Sequence, residues 1–330
     1  MKAFLLAAGL GTRLRPLSQE LPKPAWPLFD VPIAAHVLRA LAGAGVTEVV
    51  VNLHHLSEVL RGTLAPWVPP GVRAHWSREE MILGTGGALG PWRHLLSEEA
   101  FFLANADTYQ DIDLGAMIRW HRERGGVATV AVRPAPPGAP APVEVDGSGR
   151  VVRFLGGRAP GAAAGRGCEF TGVHVLEPEV LDHLPQGRSC INADVHQGFV
   201  AGGKLVFGYF PPEDAFWSDL GTPALYLGAH RHFLTLGRLP PGSSGSIVLE
   251  DRRAEGGGRV EAPSYLGAGA RVEDGGVAGP FAVLGSGARV GTGGRVVDSV
   301  LWSRAVAGAG ELRNAILSAT GAQIRVSKTV

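Results

Sequence analysis

The feature that most limits the fold is a six-residue period near the end of the chain. The apolar residues that keep this spacing are Leu266, Val272, Ala278, Leu284, Val290 and Val296. A second register follows at Val300, Val306 and Leu312, with glycine and alanine dense between these positions. A hexapeptide period is typical of a β-helix, in which each six-residue face gives one inward apolar side chain to a stacked core. We therefore predict a short β-helix of about three or four coils rather than a flexible tail.

The first two thirds of the chain alternate apolar strands with helical patterns. Strands are predicted at 3–7, 48–52, 100–105 and 127–132, and helices at 33–44, 57–64, 87–96, 114–124, 192–201 and 223–236. Strands separated by helices form crossover units on a mostly parallel sheet, and ligands bind beyond the carboxyl ends of its strands. We expect an α/β fold with a Rossmann-like, mostly parallel (mixed) sheet. The expected domain limits are 1–237 for this part, 238–259 for a linker and 260–330 for the β-helix.

Composition excludes several classes of protein. The 330 residues carry a formal net charge of +1, with 45% hydrophobic and 18% charged residues, as in ordinary globular proteins. No global field favours nucleic acid or an anionic membrane, so we expect neither as a partner. The two cysteines, Cys168 and Cys190, give neither a disulfide framework nor a metal-binding spacing. The apolar run 3–8 is too short for a signal sequence or a membrane span, and we predict a cytoplasmic protein.

The segment 6–24, LAAGLGTRLRPLSQELPKP, has the chemistry of an anion site. Gly9 and Gly11 let the backbone approach a ligand, and successive N–H groups there can form an anion-binding nest. Arg13 offers a forked guanidinium suited to phosphate oxygens, and prolines on both sides of Lys23 restrict the position of its ammonium. The segment lacks the third glycine of the dinucleotide fingerprint and the Gly-Lys-Ser/Thr of a P-loop. It therefore predicts a phosphate site of another kind.

The same segment resembles the signature of the sugar nucleotidyltransferases, also called nucleoside-diphosphate-sugar pyrophosphorylases. The resemblance continues through ILGTGGAL, ANAD, FTGVHVL and WSDLGTPALYLGAH, and covers about the first 235 residues in the right order. A C-terminal left-handed β-helix of hexapeptides is also common in that family. The resemblance implies transfer of a nucleoside monophosphate from a nucleoside triphosphate to a sugar 1-phosphate, with release of pyrophosphate.

Site residues follow from the resemblance, position by position. It implies that Arg13 binds the leaving pyrophosphate and that Lys23 binds the transferring phosphate. The implied nucleotide contacts are Leu6, Ala8, Gly9, Gly11, Thr12, Gly84, Thr85 and Gly86. The implied sugar contacts are Asn105, Arg158, Glu169, Thr171 and Gly172. Asp107 and Asp219 match the two aspartates that hold Mg²⁺ in the family.

The local sequence around these two aspartates agrees with a magnesium site. Asp107 ends an apolar strand, which brings its carboxylate to the carboxyl edge of the sheet. Asp219 stands beside a Gly-Thr-Pro turn that would fix its position. Mg²⁺ takes few protein oxygens and keeps phosphate oxygens and waters, so two carboxylates suffice.

The chain departs from the family on the sugar side. Many members carry F-x-E-K-P, whose glutamate and lysine bind the sugar and its phosphate, whereas this chain reads RFLGGRAP at 153–160. Only Arg158 is available for the lysine's role. GTP with mannose 1-phosphate is the expected substrate pair, and UTP or dTTP with glucose 1-phosphate is the alternative. A non-catalytic nucleotide-sugar-binding regulatory subunit is a further alternative.

The predicted β-helix has a role to be assigned as well. Related β-helices host acyltransferases that use a histidine base, but the last histidine of this chain is His232. We therefore expect an assembly or regulatory element, with homo-oligomerisation through the hexapeptide edges.

Overall fold

The computed structural model describes residues 1–326, so 327–330, the end of the predicted β-helix domain, lie outside the described residues. The chain forms two compact units, each assembled from two stretches of sequence. The first unit contains Met1–Gly9 and Val37–Trp217, and the second contains Leu10–His36 and the chain from Ser218 onward. The domain limits expected at 237 and 260 remain a prediction. Among residues 1–326, no helix is long and apolar enough to cross a bilayer.

A ten-stranded mixed sheet forms the centre of the first unit. Its strands are Lys2–Leu6, Glu48–Leu53, Arg73–Arg78, Phe101–Asn105, Ala128–Pro134, Val143–Val145, Val151–Phe154, Gly157–Arg158, Arg166–Leu176 and Val206–Tyr209. Lys2–Leu6 lies between Glu48–Leu53 and Phe101–Asn105 and is parallel to both. Arg166–Leu176 runs antiparallel beside Phe101–Asn105. The predicted α/β fold with a mixed sheet is confirmed, and the parallel strands bring their carboxyl ends to one edge.

Helices flank these strands along the sequence. Those up to Trp217 are Ile33–Gly43, Ser57–Leu64, Gly84–Gly87, Arg93–Leu96, Leu114–Arg124, Glu179–Asp182 and Gln197–Ala201, with 3₁₀ turns at Ala65–Trp67 and Gly90–Trp92 and a π-helical segment at Ile191–His196. Leu114–Arg124 has the predicted bounds because Asp113 caps its start and Gly125, at φ 63°, ends it.

Two predicted helices are divided in the structure. The single helix expected at 87–96 is wrong, because Pro91 lacks an amide proton and the chain forms a 3₁₀ turn at Gly90–Trp92 before Arg93–Leu96 begins. The helix expected at 192–201 consists of the π-helical Ile191–His196 followed by Gln197–Ala201.

The second unit joins the arginine-containing loop to the C-terminal part of the chain. Its first stretch contains the 3₁₀ turns Thr12–Leu14, Leu17–Gln19 and Lys23–Ala25 and a short hairpin, Pro27–Leu28 with Val31–Pro32. These pack against helix Pro223–Thr235 and the β-helix through an aromatic cluster. The ring of Trp26 lies 5.2 Å from that of Tyr226 and 5.0 Å from that of Trp302, and Phe29 lies 4.9 Å from Tyr265. The loop is thus anchored by residues far along the sequence.

Short strands from Ser246 onward stack into three sheets, in agreement with the predicted left-handed β-helix. They are Ser246–Val248, Arg252–Arg253, Arg259–Val260, Ser264–Leu266, Arg271–Val272, Val277–Ala278, Ala282–Leu284, Arg289–Val290, Gly294–Val297, Ser299–Leu301, Val306–Ala307, Gly310–Arg313, Ala315–Leu317 and Gln323–Arg325. Parallel pairing joins residues one coil apart, such as Arg271 with Arg289. The five predicted inward residues from Val272 to Val296 all lie in the buried core.

The second predicted register is wrong at two of its three positions. The β-helix core contains Leu301 rather than Val300, and Ala307 rather than Val306. Val300 is nevertheless buried, whereas Val306 is 60% exposed. The reason is a shorter coil, since Arg271 pairs with Arg289 but Arg289 pairs with Val306, one residue less along the chain. The shorter coil turns at Asp298, whose φ of 47° makes a tight left-handed corner.

Candidate active site

The carboxyl edge of the first unit's sheet carries the start of the predicted nucleotide loop. Leu6 ends its strand opposite Asn105 in parallel register. Ala8 is buried, whereas Gly9 is exposed, and a Cβ added to Gly9 would meet no heavy atom within 4 Å. The backbone at Gly9 therefore faces open space.

A sugar-side and a metal-side candidate lie at the same edge. Asp107 is half-buried and follows strand Phe101–Asn105 by two residues. The amide of Asn105 packs on Gly172, where an added Cβ would lie 2.7 Å from Nδ2, and Gly172 has a φ of +96°. The structure thus brings Asn105 and Gly172 together and excludes a side chain at 172.

The glycines of ILGTGGAL pack against the protein itself. A Cβ at Gly84, whose φ is +76°, would lie 2.4 Å from the carbonyl oxygen of Ser189. The amide of Gly86 donates to that carbonyl at 2.9 Å, and the Thr85 hydroxyl accepts from the Ile191 amide at 2.9 Å. The glycines here permit close approach of two backbones, and this packing fixes the loop in which the nucleotide contacts are predicted.

Thr171 and Trp217 line a pocket of about 380 Å³ in the first unit. The indole N–H of Trp217 donates to the Thr171 carbonyl at 2.7 Å, and the guanidinium of Arg133 lies 4.3 Å above the indole ring. Arg133 also pairs with Glu169 at 2.8 Å. Glu169 is therefore held by an arginine at this pocket.

Arg158 has a different partner. It lies on the short strand Gly157–Arg158 at the end of the sheet and donates to Glu144 Oε2 at 2.9 Å. Glu144 also accepts from Arg153 at 2.6 Å, and the two arginines, Arg153 foremost, lower the pKa of its carboxyl to about 2. At Gly157 an added Cβ would lie 2.3 Å from the carbonyl oxygen of Gln197, so the glycine there is required by packing.

Two buried histidines contact each other in the first unit, and one of them, His174, lies three residues after Thr171 on strand Arg166–Leu176. His174 and His196 are each at most 1% exposed, and Nε2 of His196 lies 3.0 Å from Nδ1 of His174. Burial lowers the pKa of His196 to about 3 and holds the pKa of His174 well below its usual value, with the charge of His196 adding to the effect. Both imidazoles are therefore neutral at neutral pH.

In the second unit, the side chain of Lys23 is held by Asp219, which belongs to the last of the predicted motifs along the chain. Its side chain is only 6% exposed, and its ammonium donates to the backbone carbonyl of Asp219 at 2.5 Å. Pro22 is extended and Lys23 begins a 3₁₀ turn with Pro24, so the backbone is restricted on both sides. Gly11, at φ 59°, precedes the 3₁₀ turn in which Thr12 and Arg13 are exposed.

Arg13 and Asp219 converge on Gly221. A Cβ at Gly221 would lie 2.8 Å from Asp219 Oδ2 and 2.9 Å from Arg13 Nη2. The Gly221 amide donates to Asp219 Oδ1 at 3.0 Å, and Thr222 caps helix Pro223–Thr235 by accepting from the Leu225 amide at 3.2 Å. The predicted Gly-Thr-Pro turn is present and orients the carboxylate beside a guanidinium.

Two buried polar residues were missed by the sequence analysis. Asn52 and Glu79 are 3% and 6% exposed and form a hydrogen-bonded chain between the Ala7 and Leu83 amides. Asn52 lies near the carboxyl end of an apolar parallel strand, and Asp107 follows the end of another. A polar residue at such a position is a sequence signal for a functional role, which could have identified Asn52. No comparable signal marks Glu79.

The comparisons with known proteins agree with this geometry. A family model described as nucleotidyl transferase matches residues 2–235. The chain belongs to the nucleotidyl transferase family. This nucleotidyltransferase is 31% identical to a probable mannose-1-phosphate guanylyltransferase 3 of Oryza sativa subsp. japonica, over 80% of this chain and 75% of the rice protein. The match supports a sugar-1-phosphate nucleotidyltransferase, as predicted.

Two bacterial relatives of the nucleotidyltransferase are named for different nucleotides and sugar phosphates. The mannose-1-phosphate guanylyltransferase of Mycobacterium tuberculosis is 31% identical over 67% of this chain and 61% of its own length. The UTP–glucose-1-phosphate uridylyltransferase of Synechocystis is 30% identical over 71% and 64%. Among solved structures, HddC from Yersinia pseudotuberculosis has a TM-score of 0.56 and 21% identity, and covers 70% of this chain and 99% of its own. That likeness supports the fold.

Proposed function

We propose that this nucleotidyltransferase transfers GMP from GTP to mannose 1-phosphate, giving GDP-mannose and pyrophosphate. The names of the rice and mycobacterial relatives support the substrate pair. The observation that carries the catalytic assignment is the buried ammonium of Lys23, held on the Asp219 carbonyl next to the turn where Arg13 and the Asp219 carboxylate converge. Such a cluster suits a triphosphate, because phosphoryl transfer depends on positioning and charge neutralisation more than on a protein nucleophile.

The residues have distinct roles in the proposed reaction. A phosphate oxygen of the sugar 1-phosphate attacks the α-phosphorus, and the bond from that phosphorus to the oxygen bridging the β-phosphate breaks. Lys23 holds the transferring phosphate, and Arg13 holds the pyrophosphate as it leaves with the bonding electrons. Gly9 and Gly11 bring the backbone close to the phosphates, and the loop at Gly84 borders the base and ribose.

Asp107 and Asp219 suit Mg²⁺ by the chemistry of their oxygens. Within residues 1–326, no three His, Cys, Asp or Glu side chains form a metal-binding group, and Mg²⁺ needs only one or two carboxylates besides phosphates and water. The orientation of the Asp219 carboxylate by the Gly221 amide also supports a ligand role. When bound, Mg²⁺ neutralises phosphate charge and orients the leaving group.

A second substrate pair, UTP with glucose 1-phosphate, is supported by the Synechocystis relative. On the sugar side, we infer that Asn105, Thr171 and Gly172 line the acceptor site and that Arg158 and Glu169 contribute charge at its rim. A cytoplasmic location and self-association through the β-helix remain predictions.

The test is pyrophosphate release with Mg²⁺ across a grid of nucleoside triphosphates and sugar 1-phosphates. We expect one strong signal, for GTP with mannose 1-phosphate. A preference for UTP with glucose 1-phosphate would replace the substrate pair and leave the reaction unchanged. Silence across the grid would contradict the proposal.

A further inference from the structure

A chain of three hydrogen bonds runs through two buried side chains of the first unit. The Ala7 amide donates to Asn52 Oδ1 at 2.6 Å, and Asn52 Nδ2 donates to Glu79 Oε1 at 2.7 Å. Glu79 Oε2 accepts from the Leu83 amide at 2.9 Å. We call Asn52 and Glu79 the loop bridge.

The partners fix the orientation of both side chains. The amides of Ala7 and Leu83 can only donate, so an oxygen must face each of them. Asn52 must then direct its NH₂ group toward Glu79, and both Glu79 oxygens act as acceptors. No flipped arrangement satisfies all three contacts, so the loop bridge has one working geometry.

The loop bridge acts on residues beyond the strand ends. The sheet already holds Lys2–Leu6 against Glu48–Leu53, and Glu48–Leu53 against Arg73–Arg78. Ala7 and Glu79 come one residue after their strands, and Leu83 lies further along the loop. The sheet would therefore form without these contacts. The Ser189 backbone also holds the loop at Leu83–Gly86, and the loop bridge adds a direct link from that loop to Ala7.

Burial of Glu79 is costly unless its oxygens are paired, and an apolar pair of the same shape would serve stability as well. A stability argument alone does not explain a carboxylate here. The two loops it joins are those where Gly9 and Gly84 are proposed to contact the nucleotide.

We propose that Asn52 and Glu79 are positioning residues that set the separation of the Ala7–Gly9 and Leu83–Gly86 backbones and thereby the affinity for the nucleoside triphosphate. This inference rests on the proposed function. It assigns the loop bridge an effect on nucleotide binding and none on sugar 1-phosphate binding.

The inference is tested by exchanging the carboxamide of Asn52 and the carboxylate of Glu79. Glu79→Gln places an NH₂ group against a donor, and Asn52→Asp places two carboxylates face to face. The double variant Asn52→Asp/Glu79→Gln restores every donor–acceptor pair with the same shape and net charge. Glu48→Gln is the matched control, since Glu48 begins the same strand and pairs with Lys2 at its opposite end.

Each single variant should raise KM and the calorimetric Kd for GTP about tenfold, the size expected when a buried donor or acceptor is left unpaired. KM for the sugar 1-phosphate should stay within about twofold, and the double variant should recover most of the GTP affinity. Glu48→Gln should leave both KM values unchanged. If Asn52→Asp fails to fold, Glu79→Gln against the double variant gives the same comparison.

Either of two results would overturn the proposed role of the loop bridge. One is a Kd for GTP in the single variants equal to that of the unaltered enzyme. The other is a Kd for GTP in the double variant no lower than that of the weaker-binding single variant. Equal changes in both KM values that follow the loss of stability would also overturn it. Failure of the proposed function is separate, because it appears as absent turnover in the unaltered enzyme, where Kd for GTP still tests the bridge.

Discussion

The ammonium of Lys23 donates to the backbone carbonyl of Asp219, a residue 196 positions later in the chain. Two residues with separate proposed roles, one on the transferring phosphate and one on Mg²⁺, are thereby fixed to each other within the second unit. Loss of the Lys23 ammonium should consequently affect stability as well as turnover, whereas a substitution at Asp219 keeps the backbone carbonyl that accepts this hydrogen bond.

Removal of the Lys23 charge tests the first of these roles. Lys23→Met keeps most of the buried stem but leaves the Asp219 carbonyl without this donor, so we expect the free energy of unfolding to fall by about 1–3 kcal/mol. Turnover should fall about 100-fold or more, since a charge aimed at the transferring phosphate is lost. Steady-state kinetics and urea unfolding measure the two effects. Lys204→Met, at a surface ion pair with Glu179, should change neither appreciably, and a fully active Lys23→Met would remove Lys23 from the reaction.

The carboxylate of Asp219 should matter for chemistry more than for folding. In Asp219→Asn the amide oxygen still accepts from the Gly221 amide, so the unfolding free energy should change by less than about 1 kcal/mol. We expect kcat to fall about 100-fold and the Mg²⁺ concentration for half-maximal rate to rise. Asp298→Asn is the control, since it removes a β-helix carboxylate charge that pairs with Arg231 of helix Pro223–Thr235. An unaltered Mg²⁺ dependence in Asp219→Asn would argue against a metal ligand there.

Two glycine substitutions separate packing from ligand contact. Gly84→Ala should lower the free energy of unfolding by about 2–4 kcal/mol, because its Cβ would meet the Ser189 carbonyl and its φ is left-handed. Gly9→Ala should leave stability within about 0.5 kcal/mol and raise KM for GTP about tenfold, because its Cβ enters only the space proposed for the nucleotide. Thermal unfolding and kinetics on both variants give the comparison. A Gly9→Ala enzyme with the parent's KM would contradict a close backbone contact at that residue.

The buried histidine pair predicts loss of stability in acid. The pKa of both His174 and His196 lies below the usual value of 6.5, so below that pH the unfolded chain binds protons that the folded chain does not. Their stabilising effect is complete above pH 6.5 and is lost as the pH falls toward the folded value, about 3 for His196. Between pH 7 and pH 5, urea unfolding should show the free energy of unfolding falling by about 2 kcal/mol for each histidine, with a slope that approaches about 1.4 kcal/mol per pH unit only below pH 6.

Proton NMR checks the same pair directly. The His196 imidazole signal should not move between pH 8 and pH 5, because its pKa is about 3 in the folded protein. Titration of His196 near neutrality would contradict its burial as a neutral group.

Local signals predicted much of the fold because they determine it. Helix Ser57–Leu64 has the bounds expected from the sequence, and Leu114–Arg124 begins after a capping aspartate and ends at a glycine. The Gly-Thr-Pro turn after Asp219 likewise begins a helix as its sequence indicates. In these cases the preference of a few neighbouring residues agrees with the tertiary structure.

Other features depend on contacts that no local pattern encodes. Strand Arg73–Arg78, RAHWSR, is partly exposed at the end of the sheet and lacks an apolar period, so pairing with Glu48–Leu53 establishes it. The exposed Val306 reflects the length of one coil rather than its own apolarity. Glu79 is a polar residue among others in sequence and gains its role only when Asn52 is folded beside it.

The order of synthesis gives the second unit a further property. Trp26 and Phe29 pack on rings that lie about 200–275 positions later in the chain, those of Tyr226, Tyr265 and Trp302. These contacts can therefore form only after the later residues have been synthesised. A chain that ends just before Trp302 would carry the whole sequence motif around Lys23, with Tyr226 and Tyr265 but without the Trp302 ring. Such a product would keep the glycines and cations of the loop and lose one of the two rings that pack on Trp26. The β-helix thus contributes directly to the anchoring of a loop that lies near the start of the sequence.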